Sequence, residues 1–340
     1  MGLGGGKAAG TPGRLPHRGG PGNGPKGSTA GTRCPGVADS PARRVDRTGH
    51  RRRWWSRPGG ARGETGPVKV AMLGSGSRGN ATLVEADGTR ILIDAGFSGR
   101  QLAERLGALG IDPQSITAVV ITHEHSDHTR GAGVFARRYG TPVHLTRATL
   151  EACRPLFRGE EPVAVYSPAR VFEVGALRIH PFLTSHDAVD PVAVTVEAVR
   201  CGTRVGVATD LGRPTAGIRH SLAGCDFLIL ESNHDETLLR TGPYPPSVQA
   251  RIASSHGHLS NHAAARFATE LLHPRLTGIL LAHLSAECNR PELALEVVGN
   301  ALRGVGWRGW LQVAAQDAPS PLVDIPELRR RAEPPQLSFL

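Results

Sequence analysis

Residues 122–128 constrain this chain more than any other stretch, because they hold three imidazoles and two carboxylates in the order Thr-His-Glu-His-Ser-Asp-His. A short apolar, β-branched run over residues 116–121 precedes them and predicts a buried strand. In an extended chain the side chains of His123 and His125 point the same way and can hold one ion, while Asp127 and His128 can reach a second ion after a turn. Neutral imidazole and carboxylate suit zinc, manganese or iron. A solvated polar loop is the alternative, but it would have no use for so many ligands.

Other predicted strands also end in residue types that bind metals. Five strands do so in chain order, and the residues outside the cluster are Asp94, His186, Asp210 and His283. Any one of them alone would more often be a capping or core residue. Together with the cluster they supply the seven or eight ligands that a two-metal site needs, with an aspartate left to bridge the ions beside a hydroxide. We therefore expect a dinuclear site at these strand ends.

Charge divides the chain into two parts. Residues 1–66 hold 13 Lys and Arg against 3 Asp and Glu, which accounts for the whole formal net charge of +10. This segment is rich in Gly, Pro and Arg and is expected to be a disordered tail. Arg51-Arg52-Arg53-Trp54-Trp55 within it would suit a nucleic-acid tether. A solvated tail, or a segment that is not natively translated, are the alternatives.

The remaining chain is predicted to form one folded domain over residues 67–318. Residues 163–183 within it predict a β meander, and residues 319–340 are expected to be a C-terminal tail without a usable pattern. The five cysteines are scattered, which is typical of a reducing compartment, so we expect a cytoplasmic protein. No apolar run approaches the ~20 residues of a membrane span, so no membrane partner is expected.

Three loops combine small polar residues with turns. Gly74-Ser75-Gly76-Ser77-Arg78-Gly79-Asn80 follows a predicted strand and could cradle a phosphate, although it lacks the Gly-Lys-Ser/Thr of a Walker loop and a plain turn fits equally well. Glu231-Ser232-Asn233-His234-Asp235 also follows a strand. Gly257-His258-Leu259-Ser260-Asn261 precedes a predicted helix, which Ser260 or Asn261 would cap.

The order strand-Asp, His-x-His-x-Asp-His, His, Asp, His resembles the metallo-β-lactamase superfamily over residues 68–305. The resemblance implies an α/β fold, a four-layer αββα sandwich with the metal site on one edge of its two sheets. The loops named above, with Ser185-His186-Asp187-Ala188 and His283-Leu284-Ser285, are similar to the YycJ/WalJ subgroup, which implies 5′-to-3′ DNA exonuclease activity. This subgroup usually has asparagine where this chain has Cys288.

The resemblance also implies a role for each ligand. His123, His125 and His186 would hold the first metal, and Asp127, His128 and His283 would hold the second. Asp210 would bridge the two ions, and Asp94 would hydrogen-bond a ligand histidine. A hydroxide shared by the ions, beside Asp127 and Asp210, would then attack a phosphodiester in line.

Further residues are candidates for proton transfer and substrate contact. His258 and His234 are candidates to protonate the leaving 3′-oxygen, although a histidine at a helix entrance could equally be structural. The residues expected to contact the substrate are Ser75, Ser77, Asn80, Asn233 and Asn261.

Two other functions stay open at this point. The same metal site would attack a small thioester or lactone, which the neutral charge of the folded part favours, unless Arg137, Arg138 and Arg251 cluster into a basic face. A non-catalytic metal-binding partner module is the third possibility, and the complete ligand set argues against it. A basic channel near His258 would favour DNA as the partner, and a closed pocket would favour a small molecule. The oligomeric state is left open.

Overall fold

The structure, a computed structural model, describes residues 66–332. The disordered tail expected over residues 1–66 lies, except for Gly66, outside the described residues. None of the helices in residues 66–332 combines the length and apolar character needed to cross a bilayer.

Two seven-stranded mixed sheets form the centre of the fold, with strands labelled in chain order. The first sheet contains β1 (Val68–Gly74), β2 (Ala81–Ala86), β3 (Thr89–Ile93), β4 (Ala118–Val120), β5 (Val143–Thr146), β6 (Val163–Tyr166) and β14 (Val323–Asp324). The second contains β7 (Phe172–Val174), β8 (Leu177–Leu183), β9 (Val192–Ala198), β10 (Arg204–Ala208), β11 (Phe227–Glu231), β12 (Gly278–Ala282) and β13 (Trp310–Val313). Their orders are β14-β1-β2-β3-β4-β5-β6 and β13-β12-β11-β10-β9-β8-β7.

Helices accompany both sheets. They are α1 (Gly99–Ala108), α2 (Ser126–Thr129), α3 (Ala132–Tyr139), α4 (Arg147–Ala152), α5 (Ala216–Leu222), α6 (Glu236–Thr241), α7 (Pro246–Ile252), α8 (Asn261–Glu270), α9 (Pro291–Gly304) and α10 (Ile325–Ala332). Short 3₁₀ turns span Pro113–Ser115 and Arg154–Leu156. Ser260 caps α8 by accepting a hydrogen bond from the N–H of Ala263.

Side chains along the central strands are all buried and alternate between an inner and an outer core, which explains the layering. On β11, Phe227 and Ile229 lie in the core between the two sheets, whereas Leu228 and Leu230 pack in an outer core with α5, α8 and α9. A second outer core joins the first sheet to α1 and α3. Strands covered on both faces need apolar residues at every position, which is why they read as continuous apolar runs. The four-layer αββα sandwich is confirmed.

The expected β meander over residues 163–183 is wrong. Strand β6 pairs in parallel with β5 in the first sheet, whereas β7 and β8 pair antiparallel in the second. The segment 167–171 between them crosses from one sheet to the other. Short alternating strands with a turn between them look the same whether they pair with each other or join different sheets, because pairing partners are set by tertiary packing.

The C-terminal boundary expected at residue 318 is also wrong. Strand β14 pairs antiparallel with β1, with Val323 opposite Val70. Val323 and Ile325 are 7% and 0% exposed and belong to the core between the sheets. Arg329 on α10 reaches the buried carboxylate of Asp226 at 2.6 Å. Two aliphatic residues are too few to produce a periodic pattern, so only tertiary packing reveals that this segment is folded.

Candidate metal centre

The seven predicted ligands come together at the ends of strands from both sheets. They form three overlapping groups in which the nitrogen and oxygen atoms of each group lie within 4.8 Å of one another. The groups are His123 with His125 and His186, Asp127 with His128 and His283, and His123 with His128 and Asp210. The last group shares members with the other two, so the ligands make one continuous cluster that could hold metal.

Three of the strand-end residues have left-handed backbone conformations. Asp94, Asp210 and His283 have φ angles of 65°, 59° and 56°; Asp94 and His283 directly follow β3 and β12, and Asp210 is separated from β10 by Thr209. Such conformations cost a non-glycine residue about 1–3 kcal/mol and persist only where the surroundings hold them. Their occurrence at three strand ends of one cluster indicates a site that the fold stabilises at the expense of local strain.

One buried ligand nitrogen lacks a partner, and this fits a cation. His123 Nε2 has no hydrogen-bond partner among the described residues. Burial, with the nearby charge of His128, holds the pKa of His123 well below its usual range, so this imidazole is neutral and can act as a ligand. His186 Nε2 lies 3.3 Å from His125 Nδ1, where one ion would satisfy both nitrogens.

The second group is richer in carboxylates. His128 Nε2 lies 3.4 Å from Asp127 Oδ2 and 3.2 Å from Asp210 Oδ2, and His283 Nε2 lies 3.5 Å from Asp127 Oδ2. Burial lowers the pKa of His283, but Asp210, Asp127 and Glu231 outweigh it and raise that pKa to about 10. A divalent cation bound beside the same carboxylates would displace the extra proton of His283, because the metal ligand is the neutral imidazole.

Asp94 lies where a partner of a ligand histidine is expected. Its Oδ2 accepts a hydrogen bond from His128 Nδ1 at 2.8 Å, which leaves His128 Nε2 to face the cluster. The backbone N–H and the hydroxyl of Thr122 also donate to Asp94. Burial raises the pKa of the Asp94 carboxyl, and the contacts with His128 and Thr122 counter this only in part.

Gly96 lies in close contact with the backbone of the segment that carries Asp127 and His128. A Cβ on this residue would collide with the backbone carbonyl oxygen of Asp127. The backbone N–H of Asn80 donates to that same oxygen at 2.7 Å, and the N–H of Ala95 donates to the carbonyl of His128. The backbone that carries Asp127 and His128 is therefore fixed from one side by glycine contact and hydrogen bonds.

Glu231 is the functional residue that the sequence analysis missed. Its side chain is fully buried at the end of β11, and Oε1 lies 2.8 Å from His258 Nδ1 and 2.9 Å from His283 Nδ1. Three backbone N–H groups also donate to its oxygens at 2.9–3.1 Å, those of Asp210, Leu211 and Leu259. Glu231 also forms a group of potential metal ligands with Asp210, His258 and His283. Because five hydrogen bonds already occupy its oxygens, the contacts favour a role in positioning the two histidines.

The charge of Glu231 is maintained by these contacts. Burial raises its pKa, but the charge and hydrogen bonds of His258 and His283 outweigh this and lower the pKa to about 2. The sequence did contain a signal for Glu231. This residue follows the apolar run of a strand, just as the predicted ligands do.

Ser75 and Asn80, predicted to contact substrate, lie beneath the cluster instead. They are 2% and 3% exposed. Ser75 Oγ accepts the backbone N–H of His283 at 2.7 Å and donates to Asn80 Oδ1, while Asn80 Nδ2 lies 3.2 Å from Asp127 Oδ2. These side chains hold the predicted ligands in place, and their contact with substrate stays a prediction.

Asn233 and Asn261 are likewise internal, and their contact with substrate also stays a prediction. Asn233 is 4% exposed and donates to the carbonyl of His283, and Asn261 is fully buried between Ser232 and Asn289. His234, a candidate proton donor, is 3% exposed and is not among the described residues that line the cavity beside the cluster. Asn233 and His234 follow β11 and Asn261 is the first residue of α8, and all three side chains are buried.

A cavity of about 370 Å³ lies against the cluster and is partly open to solvent. Ser77 lines it, as predicted for a substrate contact, and so does His258. Arg251 also lines it, whereas Arg137 and Arg138 do not and make no basic face with it. The site is therefore neither a closed pocket nor a basic channel, but an open cavity with one arginine among its described lining residues.

Comparison with known proteins decides the family. The profile of the family described as "Metallo-beta-lactamase superfamily" matches residues 74–219. "Exodeoxyribonuclease YycJ" of Bacillus anthracis is 33% identical over 243 residues, which cover 71% of this chain and 91% of that protein. The chain belongs to the metallo-β-lactamase superfamily. Within this superfamily it is a metal-dependent hydrolase that resembles the YycJ/WalJ subgroup.

A second relative and a solved structure agree with this placement in the superfamily. "Exodeoxyribonuclease WalJ" of Streptococcus pneumoniae serotype 2 strain D39 is 33% identical over 268 residues, covering 76% of this chain and 98% of that protein. The crystal structure of the metallo-β-lactamase fold protein YhfI from Bacillus subtilis matches with a TM-score of 0.58 and 18% identity, covering 75% of this chain and 99% of that one. At this low identity the YhfI match supports the fold alone.

Proposed function

We propose that this chain is a dinuclear metal-dependent phosphodiesterase that degrades DNA from the 5′ end. The observation that carries the proposal is the continuous ligand cluster in a chain that matches exodeoxyribonuclease relatives over almost their whole length. The names of those relatives, both exodeoxyribonucleases, support DNA as the substrate. The 5′-to-3′ polarity follows from the subgroup resemblance of the sequence.

The donor atoms divide naturally between two ions. His123, His125 and His186 would hold one, and Asp127, His128 and His283 would hold the other. Asp210 suits a bridging role, since its Oδ1 lies 3.6 Å from His186 Nε2 and its Oδ2 lies 3.2 Å from His128 Nε2. Two bound cations would make a hydroxide available near neutral pH and would stabilise the negative charge that develops on the attacked phosphate.

His258 is suited to protonate the leaving 3′-oxygen. Its Nδ1 donates to the carboxylate of Glu231 at 2.8 Å, which fixes the orientation of the ring. His258 lines the cavity with one-fifth of its side chain exposed, so Nε2 is free to deliver a proton there. We assign this role to His258 and not to the buried His234.

The four cysteines among residues 66–332, namely Cys153, Cys201, Cys225 and Cys288, are free thiols. Free thiols persist in reducing compartments, which supports a cytoplasmic location.

Digestion of 5′-phosphorylated, 3′-end-labelled duplex DNA tests the proposal. The protein is reconstituted with Mn²⁺ or Zn²⁺, and its metal content is measured. We expect progressive loss of nucleotides from the 5′ end, absent in His123→Ala and slowed about 10²–10⁴-fold in His258→Ala. If a preparation with about two metals per chain leaves DNA intact, the nuclease proposal is refuted, and thioester and lactone substrates become the next to test.

A further inference from the structure

Arg251 supplies a permanent positive charge to the cavity. It is the one Lys or Arg among the described lining residues, and Asp127, Asp187 and Asp210 are the carboxylates there. Bound cations would offset Asp127 and Asp210 at the phosphate that is cleaved, but a neighbouring phosphate of an anionic strand needs a positive partner of its own. A nucleic-acid strand with several phosphates would therefore contact the cavity at Arg251.

The backbone at Arg251 contacts the segment that carries His258. The backbone N–H of His258 donates to the carbonyl of Ile252 at 2.9 Å, and a Cβ on Gly257 would collide with the carbonyls of Arg251 and Ile252. His186 Nδ1 in turn donates to the carbonyl of Gly257 at 3.2 Å. One tight turn thus places Arg251, the proton donor candidate and a predicted metal ligand at fixed positions relative to one another.

The ion pair that Arg251 makes is weak enough to be exchanged. Its Nη1 lies 3.7 Å from Asp187 Oδ2, and the two side chains are 69% and 38% exposed. Solvent screens such a pair, so the pair contributes little to stability. A phosphate accepts two hydrogen bonds from one guanidinium and would replace Asp187 with better geometry. Asp187 Oδ1 also lies 3.4 Å from His186 Nε2, which keeps this carboxylate beside the cluster.

We propose that Arg251 binds the phosphate next to the one that is cleaved, and so makes the site prefer a nucleic-acid strand to an isolated phosphodiester. The inference rests on the proposed function, because it assigns strand recognition to the same site. The proposal depends on one observation. An ion-paired arginine lies at the cavity next to the predicted ligands, and a tight turn connects it to His258.

The experiment compares two substrates of the metal-reconstituted, full-length protein. One is 5′-phosphorylated DNA, and the other is bis(4-nitrophenyl) phosphate, which has a single phosphate. In Arg251→Ala we expect the ratio of kcat/KM for DNA to kcat/KM for the small diester to fall about 10–100-fold. The slope of log(kcat/KM) for DNA against log[salt] should decrease by about one. Arg251→Lys should restore part of the ratio, since it retains the charge but not the paired hydrogen bonds of the guanidinium.

The matched control is Arg147→Ala, which removes the same charge from an exposed position of α4 that does not line the cavity. It should keep the ratio of the unmodified protein. A wild-type protein that cleaves DNA, with an unchanged ratio in Arg251→Ala, overturns the inference and leaves the proposed function intact. Equal losses on both substrates also overturn it, because they indicate a general effect on the site. A wild-type protein that cleaves only the small diester refutes the DNA exonuclease proposal itself.

Discussion

Replacing Glu231 with glutamine should damage both the fold and the cluster. The carboxylate is fully buried, and each of its oxygens accepts at least two hydrogen bonds. A glutamine amide offers one oxygen and one NH₂ group, and the NH₂ nitrogen cannot accept. Whichever way the amide is oriented, one set of buried donors is left facing another donor.

The magnitude follows from the two orientations. With NH₂ at the position of Oε2, the N–H groups of Leu211 and Leu259 lose their acceptor, at about 1–3 kcal/mol each. With NH₂ at the position of Oε1, the N–H of Asp210 loses its acceptor, and His258 and His283 must carry their protons on Nε2. A proton there prevents His283 from binding metal. We therefore expect the free energy of unfolding to fall by about 2–6 kcal/mol in the first orientation, or by about 1–3 kcal/mol together with loss of metal in the second.

Urea unfolding followed by circular dichroism, with metal analysis of the same preparations, measures both effects. Glu173→Gln is the matched control. Glu173 is exposed, and among the described residues its carboxylate contacts Arg178 alone. That control should change the free energy of unfolding by less than about 1 kcal/mol. If Glu231→Gln were as stable as the control and kept its metal and its nuclease activity, the role of this carboxylate would be disproved.

Three further predictions concern other parts of the chain. Deletion of residues 319–340 removes the buried side chains of Val323 and Ile325 and should lower the free energy of unfolding by at least about 3 kcal/mol. A chain that starts at residue 67, by contrast, should keep its melting temperature and metal content. Retained stability after the C-terminal deletion would contradict the first part, and a clear loss in the N-terminal truncation would contradict the second. Asp94→Asn removes the carboxylate that holds His128 and should weaken metal binding about 10–100-fold in a chelator competition; unchanged affinity would count against this. Burial raises the pKa of Glu161, but backbone N–H groups and the Arg137 guanidinium outweigh it and lower the pKa to about 2 from an ordinary value near 4.5. The stability that this carboxylate contributes should therefore be complete above about pH 4.5 and disappear as the pH falls toward 2, so urea unfolding of Glu161→Gln should differ from the parent at pH 7 and converge with it in acid.

The strands were predictable where burial covers both faces. Residues 204–208 and 227–231 contain apolar runs because they lie between an inner and an outer core. The partner of a strand was harder to predict. Strand β6 and strand β7 have similar short patterns but belong to different sheets, and β14 has two residues. Pairing depends on contacts with residues far away in the chain, and no local pattern records it.

The ligand cluster was predictable for a different reason. Imidazole and carboxylate groups at successive strand ends have few uses apart from metal binding, and strand ends of one sheet meet at one edge. The polar neighbours were not predictable in this way. Ser75 and Ser77 are two residues apart, yet Ser75 is buried beneath His283 and Ser77 lines the cavity.

The sequence by itself determined the chemistry of this protein, since residue type decides which atoms can bind a cation and the apolar runs decide which segments become strands. Only the tertiary structure decided which polar side chains position the cluster and which face the cavity. Glu231 holds two histidines, and Arg251 reaches the cavity, because turns after β11 and α7 bring distant segments together. A hydrogen bond requires atoms within about 3 Å of each other, and that closeness is set by the backbone path between segments.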